Sequence, residues 1–330
     1  MRNSQYDLLD LTPLTHSLAK WLDGGSGGPH IGPELGAYIR IHRLSALLYH
    51  IGASLGEHLE QRAHAKWTTN TQNYLARMIA LKDAWSNVTP TPVLIKGADY
   101  NENIYGDPGA RSAVDLDMLV SRSMVCHIKD QIQSDRTRPQ RDSDSIAYEK
   151  EGALLEIHST IGPDFFVEDV TEQIIHRSMP SVLDGLNVRF PCPEHRLIIW
   201  LANQAKSAFI DGLWSLVDLA LILRPLVAGQ PASEWQRLSD RIRSYGLERA
   251  FEMALLKLDH SGIWPFDFPL EHSVKCRLLD RLTLEKHSPC IAPSLIQRQA
   301  LKLWLCRSKH KVSYITLQGK SLRRRVWQAF

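Results

Sequence analysis

The chain has 330 residues and a net charge of +3, and its 44% hydrophobic and 23% charged content is that of an ordinary globular protein. That length allows two compact domains of the usual ~100 to 200 residues each. The composition excludes a disordered, fibrous or membrane-embedded class, and so small a net charge gives no global argument for nucleic acid or anionic lipid.

Apolar residues at helical spacing (Leu8, Leu9 and Leu11, then Ile39, Ile41, Leu44, Leu47 and Leu48, then Leu75, Met78, Ile79 and Leu81) predict an all-helical N-terminal region over residues 1–86. The glycines and proline of residues 23–30 make a loop after the first helix. Over residues 87–167 short apolar runs bounded by turn residues predict a strand at 92–95, a short helix at 98–105 and a strand at 113–120. A helix at 123–133 follows, then an antiparallel hairpin of 146–148 with 153–158. Residues 168–330 return to helical spacing at 171–177, 193–207, 213–226, 233–245 and 247–259. The fold class expected is α+β: a small mixed-sheet catalytic domain embedded between N-terminal and C-terminal helical segments.

The five cysteines show no zinc-ligand spacing and fit a reducing compartment. No apolar stretch follows Met1 as a secretory signal requires. The most apolar region, 197–227, is interrupted by Lys206, Asp211, Asp218 and Arg224 and reads as a buried helix pair, because a spanning helix needs ~20 predominantly apolar residues. These features predict a cytoplasmic protein with no membrane partner. A C-terminal basic run, Lys320 with Arg323, Arg324 and Arg325, is either a solvated face or an anion contact.

The chemistry concentrates in residues 92–120. Asp115 and Asp117 lie two apart in an otherwise apolar strand, so period-two geometry puts both carboxylates on one face and Val114, Leu116 and Met118 on the other. Two like charges at that spacing repel unless a cation lies between them, which is the arrangement of a divalent-metal site. By the same argument Asp115→Asn or Asp117→Asn relieves repulsion and does not lower stability. An exposed acidic sheet face is the competing reading of the pair. Upstream, Lys96 and Gly97 close a strand before a helix, where free backbone N–H groups and a close backbone approach suit phosphate. Downstream, Glu156 and His158 alternate with Leu155 and Ile157, so a third carboxylate and an imidazole share a face.

A glycine after a first strand, an Asp-x-Asp strand and an acidic residue on a later strand resemble the DNA polymerase beta-like nucleotidyltransferase superfamily. More narrowly, LIKGADYNENIYG, GARSAVDLDMLV and LLEIHS are similar to an uncharacterised bacterial nucleotidyltransferase family. The resemblance implies Asp115, Asp117 and Glu156 as catalytic and metal-binding residues holding two magnesium ions, with manganese as an alternative. It also implies that Lys96, Gly97, Ala98, Arg111 and His158 form the NTP site. Ala98 stands where superfamily members usually carry Ser or Gly, so the phosphate contact falls to Lys96, Arg111 or backbone N–H groups. The implied reaction moves an NMP from an NTP to a hydroxyl or phosphate acceptor, a small molecule, peptide or protein, with release of pyrophosphate.

Other readings stay open at this point. Lys96 either touches phosphate or extends from a strand end, and Arg111 either touches phosphate or pairs with an acid such as Asp107. His158 orients a neighbour more readily than it ligates magnesium, which prefers oxygen. Tyr105 packs the short helix, and Asp218 either orients Lys96 or Arg111 or is a helix-surface acid. The competing functions are a nucleotide-binding interaction protein without turnover, and an RNA- or DNA-modifying transferase using Trp327 and Phe330 beside the terminal arginines.

Overall fold

Alternation along the strands sorts the sheet residues between two cores. The computed structural model describes residues 11–263 and 301–306, except 87, 132–135, 140–144, 151, 163–166, 168, 210–211, 229 and 303. The basic run at 320–325, Trp327, Phe330, Cys276 and Cys290 lie outside the described residues.

The helical N-terminal part comprises α1 (Thr12–Leu22), α2 (Gly36–Ile41), α3 (Ser45–His50) and α4 (Glu57–Trp85). Pro13 sits at the start of α1, where a missing N–H costs nothing, and Glu57 and Glu60 face the positive end of α4. The apolar run 39–48, expected as a helix, is broken at Arg43, whose φ of 55° separates α2 from α3. Leu75 and Ile79, part of the helical spacing read from the sequence, are 52% and 60% exposed on α4.

Next come β1 (Val93–Leu94), the single turn α5 (Gly97–Tyr100), β2 (Leu116–Leu119), α6 (Val125–Gln131), β3 (Arg136–Pro139), β4 (Ser145–Lys150) and β5 (Ala153–His158). The segment after α7 (Thr171–Arg177), to which sequence reading assigned no element, is a hairpin of β6 (Met179–Leu183) and β7 (Leu186–Phe190). Its two turn residues, Asp184 and Gly185, both have positive φ, at 47° and 79°, as a tight hairpin turn requires. The seven strands form one mixed sheet in the order β3-β4-β5-β2-β1-β7-β6. The inner pairs β2–β5 and β1–β7 are parallel, and the remaining pairs are antiparallel.

Leu94, Leu116, Met118, Leu155 and Ile157 face one side and pack on Tyr74, Met78, Leu81 and Trp85 of α4. Val93, Ile95 and Leu119 face the other side and join the larger core, built mainly from helices α1, α8 (Pro193–Ser207), α9 (Leu213–Val227) and α11 (Glu248–Ser261). Between them α10 (Ala232–Ser244) packs on α9 and α11. The apolar stretch 197–227 is thus the helix pair expected, and no described helix is long and apolar enough to cross a membrane. One buried clamp fixes the sheet region to these helices: Arg196 of α8 donates from Nε and Nη2 to the two oxygens of Asp99 in α5, at 2.6 and 2.7 Å. Bidentate geometry of this kind fixes orientation as well as distance, so α5 cannot shift without α8.

Candidate active site

Strand register assembles the site. Asp117 lies directly across from Glu156 on the neighbouring parallel strand, and Leu119 lies across from His158. Along β5 the residues Ala153, Leu155 and Ile157 are buried, so Glu156 and His158 are turned to the opposite face, the one shared with Asp117. The ligand atoms of Asp117, Glu156 and His158 come within 4.8 Å of one another. His158 Nε2 is 2.7 Å from Asp117 Oδ1 and 3.5 Å from Glu156 Oε2.

Lys96 supplies the fourth contact, donating from Nζ to Asp117 Oδ1 at 2.6 Å. Its ammonium is thus turned into the acidic cluster. Its backbone has φ 51° and ψ −117°, a region that side-chain-bearing residues rarely enter and that costs about 1–3 kcal/mol. Neighbouring bonds enforce it: Ile95 N–H donates to the Asp117 carbonyl at 3.0 Å, and Tyr100 N–H donates to the Lys96 carbonyl at 2.8 Å. The strained turn holds the ammonium over the acidic face.

Asp115 lies one residue before β2 and is half-buried. It stands outside the tight group of three, yet burial and the charges of Asp117 and Glu156 push its carboxyl pKa up, with Lys96 opposing. Asp117 goes the other way. Burial disfavours its charge, but Lys96 and His158 outweigh that and hold it well below the usual carboxylate range. Glu156 is also lowered, chiefly by its bond from His158, against burial and the Asp117 charge. Burial resists protonation of His158, yet its bonds to Asp117 and Glu156 raise its pKa above the ordinary imidazole value. Val114, expected on the buried face opposite the acids, is 66% exposed because regular pairing begins only at Leu116.

The remaining predicted residues line the turn beside this cluster. A Cβ on Gly97 would sit 2.7 Å from Ala113 Cβ and 3.5 Å from Arg111 Nη1, so the close approach Gly97 permits is to the strand-leading segment of its own chain. Ala98 is buried against the α4 side of the sheet. Arg111 pairs with Asp218 of α9, Nε lying 2.9 and 3.1 Å from the two carboxylate oxygens, and its guanidinium lies between the rings of Tyr100 and Trp214, at 4.9 and 4.6 Å. Tyr105 donates its hydroxyl to the same Asp218 at 2.6 Å. Asp218 is therefore a buried orienting acid. Asp107, the sequence candidate for pairing with Arg111, instead bonds Trp67 Nε1, His50 Nδ1 and the N–H of Gly109 at 2.7 to 2.8 Å.

Sequence reasoning missed Arg77, Arg196 and Trp214. Arg77 on α4 is close enough for the Asp115 charge to support its ionised form against burial, and its Nε is buried without a hydrogen bond among the described residues. No local signal marks any of the three, since their partners lie on elements far along the chain.

Two carboxylates and an imidazole at this spacing can converge on one metal ion. The carboxylate oxygens of Asp117 and Glu156, with Asp115 adjoining, suit magnesium, while the nitrogen of His158 suits it less. No curated protein and no solved structure matches the chain. A model of the family described as uncharacterised nucleotidyltransferase matches residues 33–260, which runs from before α2 to the last turn of α11 and takes in every residue of this cluster. The chain belongs to that uncharacterised nucleotidyltransferase family.

Proposed function

We propose that the protein transfers a nucleoside monophosphate from an NTP to a hydroxyl or phosphate oxygen of an acceptor, with Asp115, Asp117 and Glu156 holding divalent metal, magnesium first. The observation that carries this reading is the cross-strand pair of Asp117 and Glu156, converging with His158 beside Lys96. Bound metal would supply Lewis-acid neutralisation of the charge that builds on the α-phosphoryl group.

The chain's own groups divide the remaining work. Glu156, ionised through its bond from His158, accepts the proton of the acceptor hydroxyl. The freed oxygen forms a bond to the α-phosphorus while the bond from that phosphorus to the bridging oxygen breaks, and pyrophosphate leaves with the electron pair. Lys96 and the terminal amino groups of Arg111, beside Gly97, offer positive charge to the phosphates. His158 keeps Asp117 and Glu156 oriented. Because Lys96 and His158 both bond Asp117 Oδ1, the charge of that carboxylate is balanced before any ligand arrives. That balance also suits a second reading, a nucleotide-binding protein without turnover.

Transfer of label from α-phosphate-labelled ATP, GTP, CTP and UTP into a bacterial extract, with pyrophosphate release followed in parallel, separates the two. Magnesium-dependent transfer lost in Asp117→Asn supports the enzyme. Tight NTP binding with neither label transfer nor pyrophosphate release from any of the four leaves the binding protein.

A further inference from the structure

A cleft of about 530 Å³ lies between α2, α3 and α4, and one wall is Ser112 and Val114, of the segment leading into Asp115. Its floor is apolar, with Ile39, Leu48 and Leu59, and its rim carries Arg40, Arg43, Arg62 and Lys66. Among the described residues no acidic one lines it. All four cations are exposed, and none is in an ion pair with a described carboxylate. Arg62, Lys66 and Asn70 recur every four residues and so form one stripe down α4. Asn70 closes the stripe at the active-site end, where it is buried and donates to the Gly109 carbonyl at 3.0 Å, tying α4 to the segment that leads to Asp115.

The positive charge is continuous with the turn over the cluster. Arg43 and Arg111 both lie over the ring of Trp214, at 5.9 and 4.6 Å, so a cationic path runs from beside Gly97 into the cleft. Four like charges around one concavity repel one another, and a bound anion relieves that repulsion. The volume lies in the range of small-molecule sites, ~300 to 1,000 Å³, and an apolar floor under a charged rim suits an apolar body bearing an anionic head.

We infer that this cleft seats the acceptor, and that the acceptor is an organic molecule carrying an anionic group, phosphate foremost. The inference rests on the nucleotidyltransferase reading of the acidic cluster, which leaves the NTP phosphates to the carboxylate side and the acceptor to the side of Val114. An anionic acceptor also distinguishes the two substrates by metal need: the carboxylates repel phosphate unless a cation intervenes, whereas the cleft attracts it directly.

The test is a titration of the full-length protein with 1-naphthyl phosphate in EDTA, read by calorimetry, with 1-naphthol as the uncharged control. The inference expects the phosphate to bind at least tenfold more tightly than the alcohol. The double variant R62Q/K66Q should lose tenfold or more of that affinity while its thermal midpoint stays put, since both side chains are exposed. Affinity should fall steeply with salt. In a parallel titration without EDTA, saturating magnesium-ATP should leave the naphthyl phosphate affinity unchanged. Equal binding of phosphate and alcohol, no binding, or indifference to R62Q/K66Q overturns the inference. Competitive displacement by magnesium-ATP also overturns it, by making the cleft the seat of the NTP. The titration needs neither metal nor turnover, so its failure leaves the chemistry of the acidic cluster standing. A failure of NTP transfer leaves the anion site standing in turn.

Discussion

Glu156 faces Asp117 across a parallel strand pair, and a single imidazole, His158, reaches both carboxylates. The bond from His158 holds Glu156 ionised, which is the state a proton acceptor needs. Glu156→Gln keeps the shape and removes the charge. It is expected to leave NTP binding within severalfold of wild type, and to lower transfer on the order of a hundredfold, the usual cost of losing a general base. Binding and single-turnover transfer measured on the same preparation decide it. A variant that transfers at the wild-type rate removes Glu156 from the chemistry.

Asp115 and Asp117 are expected to respond in opposite directions to loss of charge. Repulsion and burial raise the Asp115 pKa, so Asp115→Asn relieves an unfavourable charge and is expected to keep or raise the thermal midpoint. The same result does not extend to Asp117, where the sequence argument from repulsion fails. Asp117 neutralises Lys96 and His158 at 2.6 and 2.7 Å, and Asp117→Asn leaves two buried cationic groups without their counter-ion. Breaking such a pair costs roughly 3 kcal/mol. Thermal unfolding in EDTA checks both variants, and a common direction of change contradicts the geometry described.

How much of this could be read from residue order follows from the range of each interaction. That Asp117 and Asp115 adjoin, and that Glu156 and His158 share a face, follows from strand alternation within a few residues. The register that sets Asp117 opposite Glu156 was not legible, because it depends on how two strands some forty residues apart are aligned. Long-range partners were harder still: the pairs Arg111–Asp218 and Asp99–Arg196 join elements about a hundred residues apart. Asp218 was recognised as a candidate orienting acid only because an acid stood out in an apolar helix. The β6–β7 hairpin carried a usable signal in Asp184-Gly185, a favoured tight-turn dipeptide, but β6 is an edge strand whose exposed Met179 and Val182 blur the alternation. Val114 was misassigned because alternation was extended through a segment that bends before pairing begins.

Gly97 and Ala113 offer a test of the turn that carries Lys96. A methyl group on Gly97 would meet Ala113 Cβ at 2.7 Å, closer than two carbons tolerate, and both residues are fixed by adjoining backbone. Gly97→Ala is therefore expected to cost about 1–3 kcal/mol by overpacking and to displace the Lys96 turn, with loss of NTP binding. Ala113→Gly on the same chain vacates the space. The double variant is expected to recover most of the stability, since one glycine is lost and one gained and the freedom of the unfolded chain changes little. Absence of rescue in chemical denaturation shows that the two residues are not in contact.

Acid sensitivity is expected from two histidines outside the cluster. His42, buried at the start of α9, accepts the N–H of Leu213 on Nδ1 at 2.9 Å, and burial lowers its pKa from 6.5 to about 4. His195, in α8, is fully buried with neither ring nitrogen hydrogen-bonded among the described residues. Burial first, and then the charges of Arg177 and Arg241, lower its pKa to about 4 as well. Both folded values lie below the unfolded one, so each contribution to stability is full above pH 6.5 and is lost progressively as pH falls towards 4. His158, whose pKa is raised, acts in the opposite sense, its contribution being present at low pH and lost as pH rises through the folded value. His195→Leu separates these effects. It fills a similar volume and removes a buried polar group that lacks partners, a feature that costs about 1–3 kcal/mol. The variant is expected to be more stable than wild type at pH 7, and the gap is expected to widen between pH 6.5 and 4, because in that window the wild-type chain takes up a proton at that position on unfolding. Urea denaturation at half-unit pH steps checks this, and parallel curves for the two proteins across that window show that His195 does not titrate with unfolding.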